Sequence, residues 1–374
     1  MVIGVLKEPE GENRVALLPE SVSELIKLKA NIIVETGAAT RAFFSDKDYE
    51  KTGAKTGARD EVFSTADMLI QIHPLSESEI GKMKENQVLV SVINPLSNKD
   101  YVKKLQNGNV TCFSMDTVPR ITRAQAMDIL SSMATVAGYK AVLEAAMSLP
   151  HFFPMFMSAA GTIKPAKLLI LGAGVAGLQA IASARKLGAV VEVFDVRSAV
   201  KEEVKSLGGK FIEVEGARED EAAGGYAVEQ TEEFKKKQGE LIHKHAAKSN
   251  VIICTAQIPG KTAPVLIKKE TVEQMTPGSV IIDLAASTGG NCELTENNKV
   301  VEKHQVKIIG KSNYPSDMPS DASKMFGKNL VNFLKLLIDE DGNLSLNFED
   351  EIIRGTCITH KNEIINERIK QSIQ

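Results

Sequence analysis

Residues 166–184 read AKLLILGAGVAGLQAIASA, an apolar strand that runs straight into Gly172-x-Gly174-x-x-Gly177 and then into a helical pattern. In such a strand-turn-helix unit the three glycines have separate tasks. The first lets the chain turn out of the strand, the second lets backbone N–H groups approach a pyrophosphate, and the third lets helix and strand pack closely. The phosphates then sit at the positive helix N-terminus, beside Val175. Asp195 follows Gly177 by eighteen residues, at the end of a second apolar run, 190–194. A carboxylate there accepts hydrogen bonds from both hydroxyls of an adenosine ribose and repels a 2′-phosphate, so Asp195, with Val196 beside it, points to NAD(H). Arg197 weakens that exclusion of NADP(H). Strand alternation turns it to the side of Asp195 without requiring contact.

No charged residue falls between 168 and 184, yet the stretch does not read as a membrane span. Three glycines in six residues break a helix there, and a span needs about 20 apolar residues. The opening MVIGVLKEPEGENR begins as a strand without the basic and apolar regions of a signal peptide. A soluble chain is expected.

At 374 residues the chain should divide into two domains, each with its own core. A formal net charge of −3 gives no global field that would draw nucleic acid. Cys112, Cys254, Cys292 and Cys357 stand far apart with no C-x-x-C, which fits reduced core residues and neither disulfides nor a metal site. His243 and His245 flank a lysine on a helical pattern, where i and i+2 share no face, and read as solvated.

The N-terminal third repeats a strand-helix unit. Runs at 2–6, 31–35, 67–72, 87–93 and 110–115 are short and rich in Val and Ile, with charged helical patterns such as 21–29 and 76–84 between them. Regular alternation implies a parallel sheet. A long helix is expected over 123–146, dense in alanine and other good helix formers. Six further strands, at 168–171, 190–194, 210–214, 251–254, 280–284 and 306–309, make a second doubly wound sheet. Residues 215–230, EGAREDEAAGGYAVEQ, are charged and small with no apolar period. They read as a long loop, a lid with Gly224-Gly225 as hinge and Tyr226 as an aromatic surface for adenosine, or else a passive insertion. Met325, Phe326, Leu330, Phe333, Leu334 and Leu337 make one helical stripe that must be covered, which brings this helix back to the first domain. The expected fold is therefore α/β: two Rossmann-like, doubly wound parallel-sheet domains with a cleft between them. The N-terminal domain, 1–132 and 316–374, is discontinuous, and the NAD(H)-binding domain, 133–315, is inserted into it.

The opening stretch MVIGVLKEPEGENRVALLPESV resembles that of alanine dehydrogenases and of domain I, the NAD(H)-binding component of proton-translocating NAD(P) transhydrogenase. The discriminating stretch is 119–131, PRITRAQAMDILS, which looks like the transhydrogenase signature. AAGTIKPAKLLILGAGVAGLQAIA, DVRSAVKEEVKSLGGKF, AGGYA, IPGKTAPVL, TPGSVIIDLAASTGGNCELT and GTCITHKNEII agree with it, so the resemblance covers nearly the whole chain. It implies a homodimer that pairs with a membrane-spanning domain II and a domain III holding NADP(H). The chain would then sit at the cytosolic face of a membrane without entering it.

The resemblance assigns Arg120, Gln125 and Asp128 to the nicotinamide pocket. On a helix Gln125 and Asp128 are i and i+3 on one face, and Arg120 precedes it, so the three can converge on one ligand. A carboxamide needs a donor and an acceptor, which an Arg–Asp pair offers, while Gln125 bridges to a second ligand and Ser131 lies one turn beyond Asp128. Without the resemblance, an N-capping Thr122 with solvated Arg120 and Asp128 explains the same letters.

Hydride passing between two nicotinamides needs position and exclusion of water. Amino-acid oxidation moves protons and calls for titratable groups. The chain keeps Arg14 of the alanine dehydrogenase pattern. It has Gln71-Ile72-His73-Pro74 where that enzyme carries its substrate lysine, Asn94 for its histidine and Ser287 for its catalytic aspartate. Two positions depart from the transhydrogenase pattern: Gln257 replaces a residue beside the cofactor that is usually apolar, and His73 a usual polar or basic one. The rival readings are an amino-acid dehydrogenase of the alanine or saccharopine type and a catalytically silent NAD-binding regulator.

Overall fold

The computed structural model describes residues 1–214, 231–258 and 260–373. The chain forms two compact units, one of Met1–Met133 with Pro315–Gln374, the other of Ala134–Tyr314. In the first unit six strands follow one another: β1 (Val2–Val5), β2 (Asn31–Glu35), β3 (Lys55–Gly57), β4 (Met68–Ile70), β5 (Val88–Ser91) and β6 (Thr111–Ser114). All pair in parallel, because short helices such as Pro19–Lys27 and Lys99–Asn107 carry the chain back each time. Side chains alternate between two apolar clusters. Ile3, Val5, Val88 and Val90 enter one, Leu69 and Leu89 the other, so both faces are covered and the strands read as unbroken apolar runs.

The first strands of the second unit form an antiparallel hairpin, β7 (Phe156–Ser158) and β8 (Gly161–Ile163), whose residues are exposed throughout. Then come β9 (Lys167–Leu171), β10 (Val190–Phe194), β11 (Lys210–Ile212), β12 (Val251–Cys254), β13 (Val280–Asp283), β14 (Val300–Lys303) and β15 (Val306–Ile309). Their order across the sheet is β11-β10-β9-β12-β13-β15-β14. With the antiparallel β14 set aside, this is the doubly wound order in which the first strand lies at the centre and the sequence reverses direction between β9 and β12. Leu168 and Ile170 face one cluster, Leu169 and Leu171 the other.

After the second unit the helix Pro319–Leu334 returns to the first, placing Phe326, Leu330, Phe333 and Leu334 in its core, with Phe333 edge-on to Phe113 at 5.6 Å. Two short strands, β16 (Cys357–His360) and β17 (Glu363–Ile364), complete that sheet as β17-β16-β6-β5-β4-β1-β2-β3. β16 runs antiparallel to β6. The α/β class and the two parallel-sheet units expected from the sequence are present. The hairpin β7–β8 and the strands β3, β14, β16 and β17 are additions to it. All four cysteines are buried and unpaired. Among the described residues no helix is long and apolar enough to cross a membrane.

Candidate nucleotide site and signature turn

β9 delivers the chain into Gly172, which has φ +103°, a left-handed conformation that only glycine adopts freely. Its N–H donates to the carbonyl of Phe194 at 2.8 Å, and its carbonyl accepts the Thr255 hydroxyl at 3.0 Å. The turn is thus tied to the strands on both sides. A Cβ at Gly172 would lie 2.5 Å from Thr255 Oγ1, and one at Gly177 would lie 2.0 Å from the Gly172 carbonyl oxygen. Neither position tolerates a side chain. At Gly174 a Cβ would meet nothing within 4 Å. Two of the glycines are therefore there for internal packing, and the middle one faces open space at the N-terminus of the helix Val175–Lys186. That is where a dinucleotide's pyrophosphate would need backbone access, so the residues fit the group. Val175, the first helical residue, is exposed, and Val196 packs against the sheet.

Asp195 is 6% exposed. Its Oδ2 accepts the N–H of Ala173, inside the glycine turn, at 2.7 Å, and its Oδ1 accepts the N–H of Arg197 at 2.9 Å. The contact that strand alternation did not require is made. Arg197 Nε donates to Oδ1 at 2.9 Å and Nη2 to Oδ2 at 2.8 Å, a two-pronged ion pair, and these bonds raise the guanidinium above its ordinary value.

The loop after β13 is fastened by Asp283, a fully buried carboxylate at the end of that strand. It accepts the N–H groups of Ala285, Asn291 and Cys292 and the hydroxyl of Thr295, while burial pushes its carboxyl up. Asn291, also buried, bonds both the N–H and the carbonyl of Ala256. Gln257 is exposed and donates to Thr288 Oγ1 at 3.1 Å, so its side chain links the loops after β12 and β13. Ser287 is exposed beside it. The 215–230 lid, with Gly225 and Tyr226, lies outside the described residues.

In the first unit the long helix does not begin at 123. Residues Thr122–Met127 form a 3-10 turn, Asp128 is extended, and the helix runs over Ile129–Ser148. The reason is local: Asp128 Oδ1 accepts the N–H of Ser131 at 3.0 Å and Oδ2 its hydroxyl at 2.6 Å, so Asp128 is the N-cap and cannot be an interior residue. Thr122 is the first residue of the 3-10 turn, and the cap position falls to Ile121. Gln125 and Asp128 are therefore not on one α-helix; the N–H of Asp128 donates to the carbonyl of Gln125 at 3.3 Å, which closes the 3-10 turn between them. The turn is nonetheless held firmly. Ala124 and Met127 are buried, and the carbonyl of Ala126 accepts both Asn329 and Asn332 side chains, at 2.8 and 3.1 Å. Arg123 forms a two-pronged bridge to Asp350 at 2.7 and 2.8 Å. Arg120 and Gln125 stay exposed, and Asp128 and Ser131 are half-buried.

Several positions read differently from their letters. His73 Nδ1 lies 3.1 Å from Oε2 of the buried Glu8, which also accepts the backbone N–H of His73, while Glu8 Oε1 accepts that of Ile72. His73 thus has a structural partner. Arg14 is closed onto Glu12, Nε to Oε1 at 2.8 Å and Nη2 to Oε2 at 2.6 Å, both residues buried. His243 and His245 are not merely solvated: His243 meets Thr271 and Gln274, and His245 Nδ1 lies 2.6 Å from Glu192 Oε2. Gly138 belongs to no motif in the sequence. A Cβ there would stand 2.1 Å from the Ala176 carbonyl oxygen, so its helix abuts the helix of the glycine turn. Its only signal was a glycine within an alanine-rich helical run.

Two family models match the sequence: Alanine dehydrogenase/PNT, N-terminal domain, over residues 4–137, and Alanine dehydrogenase/PNT, C-terminal domain, over residues 141–367. An NAD(P) transhydrogenase subunit alpha protein of Rhodospirillum rubrum is 47% identical over 376 residues, 98% of each chain. NAD(P) transhydrogenase subunit alpha of Haemophilus influenzae is 46% identical over 368 residues, 98% of this chain and 72% of that protein. Among solved structures, the transhydrogenase from Sinorhizobium meliloti superposes with a TM-score of 0.89 at 41% identity, over 98% of this chain and all of that one.

Proposed function

The chain belongs to the alanine dehydrogenase/PNT family, alongside NAD(P) transhydrogenase alpha subunits, and from that premise we propose that it is the NAD(H)-binding component of a proton-translocating NAD(P) transhydrogenase. In this reading hydride passes directly between NADH held by this chain and NADP+ held by a separate domain III, coupled to proton translocation by a membrane domain II. The chain would work as a homodimer at the cytosolic or matrix-equivalent face, attached to the membrane through those partners. The exposed hairpin, with Phe156, Met157 and Ile163 unburied, supports a further interface.

One observation carries the choice of transhydrogenase over amino-acid dehydrogenase: where the dehydrogenase chemistry needs proton-moving groups, the chain has no lysine within 68–75, and it has Asn94 and Ser287. When bound, the dinucleotide supplies the hydride, so the protein has only to bind, orient and exclude water. The turn 172–177 would hold the pyrophosphate and Asp195 the ribose. Arg120, Gln125, Asp128 and Ser131 would orient the carboxamide, with Gln125 bridging to the second nucleotide.

The test supplies the purified chain with an NADP(H)-binding domain III. Reduction of an NAD analogue at the expense of NADH is expected only when domain III holds NADP(H), with deuterium placed on the nicotinamide retained in product. Alanine-dependent NADH formation by the chain alone would overturn the reading, as would washout of the label into water.

A further inference from the structure

An ionised carboxylate offers about four acceptor positions, and on Asp195 each is taken. Two are met by backbone N–H groups, of Ala173 and Arg197, which the turn and the strand end hold in place. The other two are met by the Arg197 guanidinium. A ribose diol also needs two acceptor positions on this carboxylate. The guanidinium and the diol therefore compete for the same two places, and only the guanidinium can leave, since the backbone donors are fixed.

We propose that Arg197 is the specificity-determining residue of the adenosine site: its guanidinium stands in for the ribose diol on Asp195 and, once displaced, lies where it meets whatever the ribose carries at its 2′ position. This rests on the NAD(H) reading of the second unit and deepens it. Two consequences have opposite signs. Against an unmodified ribose the guanidinium is a competitor. Against a 2′-phosphate it is a partner, because a displaced arginine makes charge-assisted, two-pronged bonds to phosphate oxygens. Asp195 alone would exclude NADP(H) steeply, and Arg197 softens that exclusion by neutralising the carboxylate and offering a cation.

The emission of NADH and NADPH, excited at wavelengths where no side chain absorbs, can be followed directly in a titration of the full chain. Arg197→Ala is expected to bind NADH at least as tightly as the wild type and to raise the ratio of the NADPH to the NADH dissociation constant by about tenfold, the scale of a charge-assisted contact. Arg197→Lys keeps the charge without the fork, so its ratio should fall between the two, and it covers the case in which the alanine variant does not fold. A ratio within twofold of wild type in both variants, or NADH binding weakened tenfold in the alanine variant, would overturn the proposal. Failure of the wild type to bind NADH would remove the cofactor reading itself and the proposal with it, an outcome distinct from NADH binding with an unchanged ratio.

Discussion

A Cβ on Gly138 would stand 2.1 Å from the carbonyl oxygen of Ala176. The helix Ile129–Ser148 therefore lies backbone against backbone on the helix that the dinucleotide turn opens. Alanine is the better helix former by about 1 kcal/mol, so on propensity alone Gly138→Ala should stabilise. Contact decides the other way, because overpacking costs roughly 1–3 kcal/mol and here the obstacle is backbone, which cannot rotate away. A lower urea midpoint and weaker NADH binding are expected. A variant as stable as the wild type would contradict the close approach.

Asp128 serves a cap and, in the proposed function, a ligand, and the two can be separated. Serine is as good an N-cap as aspartate, whereas alanine loses about 1 kcal/mol of helix stability. Asp128→Ser should keep the urea midpoint near that of the wild type yet weaken NADH binding. Asp128→Ala should lose both. Unchanged NADH affinity in the serine variant would leave Asp128 with the cap alone.

Gln125 is exposed on a turn pinned by neighbours that do not include it, so shortening it should not disturb the fold. Gln125→Asn should slow hydride transfer to a partner holding NADP+ on the order of a hundredfold, the scale of a misplacement of about 1 Å. NADH affinity should change little. A drop in affinity with an unchanged transfer rate would assign Gln125 to ground-state binding.

The Arg123–Asp350 bridge gives the signature turn a pH dependence. Hydrogen bonds from Arg123 hold the Asp350 carboxyl below its ordinary value, near 3.9 in an unfolded chain. A folded-state value below the unfolded one means stability that is present above about pH 4 and lost as pH falls through the folded value. Asp350 also caps the helix Glu351–Thr356, a task asparagine can keep. Asp350→Asn should therefore cost up to about 1 kcal/mol at pH 7, and the gap to wild type should close toward pH 3. Urea titrations at both pH values read it directly, and a gap that widens in acid would refute the assignment.

Much of this architecture was legible because parallel strands buried on both faces are written as runs of Val, Ile and Leu, as in 190–194 and 251–254. The glycine turn was legible because sterics leave no other residue at Gly172 and Gly177. What escaped was short or half-polar. β3 has three residues, KTG, and β14, VVEK, is almost wholly exposed and pairs with one neighbour at an edge. The exposed hairpin has no burial pattern of its own. In the signature, helix propensity from Arg123 onward suggested one continuous helix, but the Asp128 side chain outcompeted it by satisfying the Ser131 N–H. The Asp195–Arg197 pair was foreseeable as proximity, though its two-pronged geometry depends on rotamers that spacing does not specify.

The division of the first unit by the second sets an order of events during synthesis. The second unit is contiguous, so its sheet can close while later residues are still untranslated. The first unit must wait, since β16 pairs with β6 and the stripe of Pro319–Leu334 covers a core begun near residue 3. The residues that pin the signature turn, Asn329, Asn332 and Asp350, are all made after the glycine turn and everything it packs against. A chain ending at Tyr314 would thus contain the whole of the second unit but a signature turn without its fastenings.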